Sequence, residues 1–115
     1  MPVYETFEEH AERFLKNLQS SGIPRYMHYG VENYVLCGHP VGDFLTNFFC
    51  NDLMGALGKA DLTNQRLFPE YGAFLWNYCP KGCWGSVKAY SDWLAGGGLR
   101  GLYSRQAAAK GGSEG

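Results

Sequence analysis

Between Gly42 and Asp61 the chain reads GDFLTNFFCNDLMGALGKAD, which is apolar around nearly its whole circumference when wound as a helix. At about 100° per residue, Phe49, Leu53, Ala56, Leu57 and Ala60 share one broad face, and Phe44 with Phe48 make another. A helix apolar on every side belongs in the middle of a domain, so the spacing predicts one central rod over 43–60 with other helices packed around it. The exception is a row of amide and small residues, Asn47, Asn51, Gly55 and Gly58. Such a strip can hold a small polar ligand or a peptide backbone; more commonly it lets a neighbouring helix come close.

The flanking segments also read as helices. Thr6 and Glu9 form a capping box ahead of Phe7, Ala11, Phe14, Leu15 and Leu18, the stripe of a one-sided surface helix that stops near Ser20-Ser21-Gly22. After Pro24, GVENYVLC (30–37) places Val31, Tyr34 and Val35 together at helical spacing with Gly38 as a stop, although its β-branched content also suits a short strand. His39 to Gly42 is a turn, and Asp43 is placed to cap the rod. Leu67, Phe68, Tyr71, Phe74, Leu75 and Tyr78 form a core stripe in a helix that begins or bends at Pro69, which has no amide donor. CPKGCWGS (79–86) is a turn, and Ser86 caps a last short helix through Trp93 and Leu94.

From Gly96 onward seven of twenty residues are glycine and few are apolar, the composition of a flexible tail. The expected architecture is therefore all-α: a compact bundle of four or five helices over 1–95 and a glycine-rich flexible tail over 96–115. A chain of 115 residues is the size of one domain. Aromatic residues make up 16% of it, more than one small core easily hides, so some rings are candidates for a binding surface.

Charge narrows the functional classes. The net value of −1 suits neither an acidic nucleic-acid mimic nor a strongly basic nucleic-acid binder. Basic residues do gather late, at Lys81, Lys88, Arg100, Arg105 and Lys110 against Asp92 and Glu114. That leaves a nucleic-acid-associated regulatory role through the C-terminal segment as the alternative reading. No run approaches the 18 or so apolar residues that span a membrane, and the acidic start MPVYETFEEHAERF is unlike a signal peptide. A cytoplasmic location with reduced thiols is the expectation.

Chemical constellations are sparse. Cys37 and His39, with Cys79 and Cys83, would supply three thiolates and an imidazole to a structural zinc if their two turns met. Neither pair has CxxC spacing, and cysteine is equally at home as a small core residue. A cysteine hydrolase can be drawn from Cys83 with His39 or His28 and Asn33 or Asn77, but no local nucleophile motif supports it. There is no phosphate loop; Gly96-Gly97-Gly98 follows no strand. No enzyme activity, metal or cofactor is expected.

The clearest interaction signal is Arg25-Tyr26-Met27-His28-Tyr29, rich in residue types that dominate binding hot spots. Trp84, in a turn beside Lys81, is the second candidate. Arg25, Tyr26, His28, Tyr29 and Trp84 are thus the expected partner-binding residues, with Asn47 and Asn51 as a polar strip. A resemblance points the same way. Residues 29–93 carry Gly30, Tyr34, Gly38, Gly42, Phe44-Leu45, Asn51-Asp52-Leu53, Ala60-Asp61, Asn64, Phe74-Leu75, Asn77 and Cys83-Trp84-Gly85. In these the chain resembles a group of short proteins of unassigned function encoded by phages, prophages and other mobile elements. The resemblance brings no activity, cofactor or catalytic residue. It implies a small accessory protein acting on a host or phage protein, with inhibition of a host defence system among the classes common in that setting.

Overall fold

Helix α1 (Phe7–Gln19) begins where Thr6 and Glu9 place it: Thr6 Oγ1 accepts from the Glu9 amide at 3.1 Å and the Thr6 amide donates to Glu9 Oε1 at 3.2 Å. Such a cap stabilises a helix by about 1 kcal/mol. The computed structural model describes residues 5–114, and side chains over 5–108. All regular structure among the described residues is helical. After α1 come a single 3-10 turn (Arg25–Met27), α2 (His28–Cys37), α3 (Asp43–Phe49), α4 (Leu53–Lys59), α5 (Leu62–Arg66), α6 (Phe68–Tyr78), α7 (Val87–Ala95) and α8 (Gly98–Glu114).

GVENYVLC is helix, not strand, because Val31, Tyr34 and Val35 all turn into the core at helical spacing. Gly38 ends it at φ 72, its amide bonded to the Tyr34 carbonyl at 2.9 Å. Pro69 lies in the first turn of α6, where its missing donor costs nothing, and Tyr71, Phe74 and Leu75 form the buried face. Ser86 caps α7 through the Ala89 amide at 3.0 Å. Asp43 makes no capping bond: Gly42 holds the cap position and Asp43 sits in the first turn of α3, where its charge complements the helix dipole.

The expected rod over 43–60 is two helices. Asn51 adopts φ +63, a left-handed conformation that asparagine tolerates better than most residues, and reverses the chain. Asp52 then starts α4 by accepting from the Gly55 amide at 3.0 Å, while its own amide closes on the Asn47 carbonyl at 2.8 Å. Asn-Asp is thus a break-and-restart signal that outweighs continuous hydrophobic periodicity. The first half is central, with Phe44, Leu45, Phe48 and Phe49 buried. The second lies at the surface, where only Ala56 is buried and Met54 is 77% exposed. The strip Asn47, Asn51, Gly55 and Gly58 is divided by the reversal and forms no continuous row.

Rings dominate the core. Phe44 meets Tyr71 edge-on at 5.1 Å, Phe48 meets Phe68 at 5.2 Å, and Phe14 meets Phe74 at 5.4 Å. Tyr34 lies between Phe49 (4.3 Å) and Tyr90 (5.0 Å, stacked). Such pairs add about 0.5–1.5 kcal/mol each beyond their buried area. The polar atoms carried inside are paired. Tyr34 donates to the Cys83 carbonyl at 2.6 Å, Tyr71 to Asn64 Oδ1 at 2.6 Å, and Trp93 Nε1 to the Tyr34 and Val35 carbonyls at 3.1 and 3.2 Å. Trp93 thereby supplies a donor to the Val35 carbonyl at the end of α2 and shares the Tyr34 carbonyl with the Gly38 amide.

The segment expected to begin a flexible tail is helical from Gly98. Leu99 is 1% exposed, Leu102 and Tyr103 pack on the core, and Arg105 Nη1 donates to the Gly96 carbonyl at 2.6 Å. The glycines at its start do not loosen it; they let it lie against the end of α2. The side chains of residues 109–115, Lys110 and Glu114 among them, lie outside the described residues.

Helix α8 is held to α1 by a polar cluster with a pH dependence. The Tyr103 hydroxyl is 3.0 Å from His10 Nδ1, Glu5 lies 3.8 Å from the same nitrogen, and Arg13 pairs with Glu5 at 2.7 Å. Burial, then the Arg13 charge, hold the His10 imidazole below its usual range, against the opposing pull of Glu5. A folded state that prefers neutral His10 is fully stabilised above the ordinary value near 6.5 and loses that contribution as pH falls through the lowered value. Protonation also makes Nδ1 a donor, so it can no longer accept from Tyr103. The melting temperature is expected to fall between pH 7 and pH 5, and His10→Gln to flatten the profile in that window. Identical profiles for the two proteins would refute the assignment.

Candidate functional site

Along one side of α2 the chain leaves a groove. The 3-10 turn and the first turns of α2 face the 39–42 loop, and between them lies an open cavity of about 510 Å³, inside the range of about 300–1,000 Å³ that ligand sites occupy. Exposed Tyr26, Tyr29, His39 and Pro40 rim it, and the largely covered Met27 and Leu45 lie deeper. Pro24 sets up the turn: with no amide to donate and φ near −60, it directs the Met27 amide back to its own carbonyl at 2.9 Å. That bond places Tyr26 and Tyr29 on the outside.

Tyr26 is fixed at its far end. Its hydroxyl donates to Asp61 Oδ2 at 2.6 Å, and Asp61 Oδ1 caps α5 through the Asn64 amide at 2.7 Å. The Tyr26 hydroxyl, then the backbone amide, hold the Asp61 carboxyl below its usual value; the same bond pushes the phenol up. The groove's first wall is thereby tethered to another helix. Tyr29, 78% exposed, presents its ring to water. Asn33, also in the lining, donates to the Tyr29 carbonyl at 2.9 Å. The lining combines aromatic and aliphatic surface with an amide, an imidazole and two phenols, a set suited to an apolar side chain flanked by peptide groups.

The five expected contact residues separate. Tyr26 and Tyr29 meet at the groove. Half-buried His28 turns away, its Nε2 2.8 Å from the Ile23 carbonyl, and with Arg25 it borders a different depression. Trp84 is on neither; it is half-buried and its ring lies 6.2 Å from that of Trp76. Trp76 is 77% exposed and was not singled out from the sequence. It was findable there, as an aromatic residue off the Tyr71–Phe74–Leu75 face of its own helix. Leu53, Met54 and Leu57 are likewise exposed because the break at Asn51 places α4 outside, and Leu62 at the start of α5 is exposed too.

The thiols are arranged differently from either sequence-based scheme. Cys37 and His39 do not join Cys79 and Cys83, and among the described residues no three His, Cys, Asp or Glu side chains are grouped to hold a metal ion. The hydrolase residues are also engaged elsewhere. Cys83 is completely buried, His28 is occupied by Ile23, and Asn33 and Asn77 bond carbonyls one turn back in their own helices, Asn77 to Ala73 at 2.9 Å. Burial, then the neighbouring Cys83 thiol, push Cys79 well above its ordinary value, and burial raises Cys50. Both therefore carry less thiolate at neutral pH than an ordinary thiol, unlike the activated cysteine of a hydrolase.

The arrangement is that of a small all-helical domain with a preformed surface groove. Comparison with protein-family models, curated proteins and solved structures returned no match to this chain. Among the described residues no helix is long and apolar enough to cross a membrane.

Proposed function

We propose that the protein is a small non-enzymatic binding protein whose groove between α2 and the 39–42 loop takes an extended segment of a partner protein. The observation that carries this reading is the exposure of Tyr29 beside Tyr26, whose ring is held by Asp61. A fixed aromatic wall loses little side-chain freedom on binding, which is what makes tyrosine a frequent energetic anchor at interfaces. The occupant fitting the lining is a peptide with one medium apolar side chain, of leucine, methionine or proline size, seated against Met27 and Leu45. Its backbone groups would be met by Asn33 and His39. On the sequence resemblance we read it as an accessory protein of a phage or mobile element, acting in the host cytoplasm on a host or phage protein, with a component of a defence system as the proposed target class.

The nucleic-acid reading has fewer free charges to draw on than the sequence suggests. Lys88 pairs with Asp92 at 2.6 Å, Arg105 is bonded to the Gly96 carbonyl, and Arg100 lies 4.4 Å over the Phe7 ring. A gel shift that weakens steeply with salt would restore it. For the groove, the test is selection of peptides from a displayed random library against the folded chain, with affinity capture and mass spectrometry in the natural host. Tyr29→Ala is expected to weaken the selected peptides and the captured partner at least tenfold, about 1.4 kcal/mol, with unfolding unchanged because the ring is exposed. Val87→Ala, outside the groove, should have no effect. Unaltered affinity in Tyr29→Ala and Tyr26→Ala would end the proposal.

A further inference from the structure

The sequence CPKGC follows α6 and folds back at once. Cys79 ends the helix with its amide on the Leu75 carbonyl at 3.3 Å, and the Cys83 amide returns to the Pro80 carbonyl at 3.3 Å across Lys81 and Gly82, the latter at φ +95. A turn closed in this way brings the residues on its two sides together. The thiols accordingly face each other, the Cys79 S–H donating to the Cys83 sulfur. Access is unequal, with Cys83 wholly buried and Cys79 partly open. Cys37 and Cys50 lie at the ends of α2 and α3, outside this turn.

We propose that Cys79 and Cys83 are an oxidisable dithiol, which a low-molecular-weight disulfide converts to an intramolecular Cys79–Cys83 disulfide. Cys79, the accessible member, loses its proton and attacks one sulfur of the reagent; a mixed disulfide forms as the reagent's S–S bond breaks and one reagent thiolate leaves. Cys83 then loses its proton and attacks the Cys79 sulfur, displacing the second reagent thiolate. The leaving thiolates take up the two protons, so two protein thiols are oxidised and one reagent disulfide is reduced to two thiols. Burial of Cys79 keeps its proton on and slows the first attack, so the reaction calls for mildly alkaline pH and excess reagent. The turn also carries Trp84 and ends at Gly85, whose amide bonds the Phe49 carbonyl at 2.8 Å and fixes the far side of the turn to α3.

The test is incubation of the full chain with excess oxidised glutathione near the ordinary thiol value of about 8.5, acid quenching, iodoacetamide labelling and peptide mapping by mass spectrometry. Two of the four thiols are expected to be lost to labelling, with Cys79 and Cys83 recovered as a linked peptide and dithiothreitol restoring all four. Cys83→Ser should stop at a glutathione adduct on Cys79, and Cys50→Ser, which leaves the pair intact, should still bridge. Four labelled thiols after oxidation, a lasting adduct on Cys79 in the unaltered chain, or a bridge that includes Cys50 would each overturn the proposal.

Discussion

Alanine at Gly98 is expected to lower the unfolding free energy by about 2–5 kcal/mol, the sum of a left-handed backbone penalty of about 1–2 and an overpacking cost of about 1–3. Gly98 sits at φ +69, and a Cβ there would collide with the backbone amide of Gly38 and approach the Cys37 nitrogen to 2.7 Å. Neither is the end of a side chain that can swing aside. Gly38 opposes it at φ +72, where a Cβ would lie 2.6 Å from the Gly98 nitrogen and 2.9 Å from the Trp93 carbonyl oxygen. The two glycines are the point where α2 and α8 touch main chain to main chain. Thermal unfolding should show a drop on the order of 10 °C for Gly98→Ala. Gly97→Ala isolates the backbone part, since Gly97 has φ +79 but its nearest neighbour to a new Cβ is at 3.6 Å. Equal effects for the two would mean that the helices are not in close contact there.

Tyr34 carries the second large effect. It is 0% exposed, stacked on Tyr90, packed on Phe49, and bonded through its hydroxyl to the Cys83 carbonyl. Burial pushes the phenol well above its ordinary value, with the nearby thiols and Tyr90 adding to it, so the group stays a neutral donor throughout the accessible pH range. Tyr34→Ala removes a large buried ring and is expected to cost about 3–5 kcal/mol, a large part of the roughly 5–15 kcal/mol that holds a typical domain together. Tyr34→Phe keeps the ring and strands the Cys83 carbonyl, which should cost about 1–3 kcal/mol. Denaturant unfolding measures both. A Phe variant as stable as the parent would show that the carbonyl finds water or another donor, and that the anchor between α2 and the 79–85 turn is unimportant.

The groove shows how far a linear reading reaches. Arg25 to Tyr29 stood out as a run of binding residue types, and Tyr26 and Tyr29 do share a surface. The one-turn helix after Pro24, however, sends His28 inward to Ile23 and Arg25 to another side. A run of adjacent residues cannot all face one way on a helical path, so composition locates such a patch without choosing its members. The other wall, His39 and Pro40, read as a turn, with His39 drawn as a metal ligand or a catalytic base and not as part of a groove. The tether from Tyr26 to Asp61 joins residues 35 apart in sequence, a pairing no local pattern encodes.

What the sequence determined by itself is local. The capping box at Thr6 and Glu9, the Gly38 stop, the Pro69 entry to α6, the Ser86 cap and the Tyr71–Phe74–Leu75 stripe each depend on atoms within a turn or two of one another. Tertiary structure decided what depends on contacts between distant segments. Gly96 to Gly98 read as the start of a loose tail until α2 supplied a surface that only a side-chain-free backbone can approach. The apolar run after Val41 read as one rod because periodicity measures where greasy faces fall, and it is blind to a chain reversal that a single left-handed asparagine and a capping aspartate make favourable. Once reversed, α3 has a core to enter and α4 has only the surface, so two stretches of similar hydrophobicity end in opposite environments.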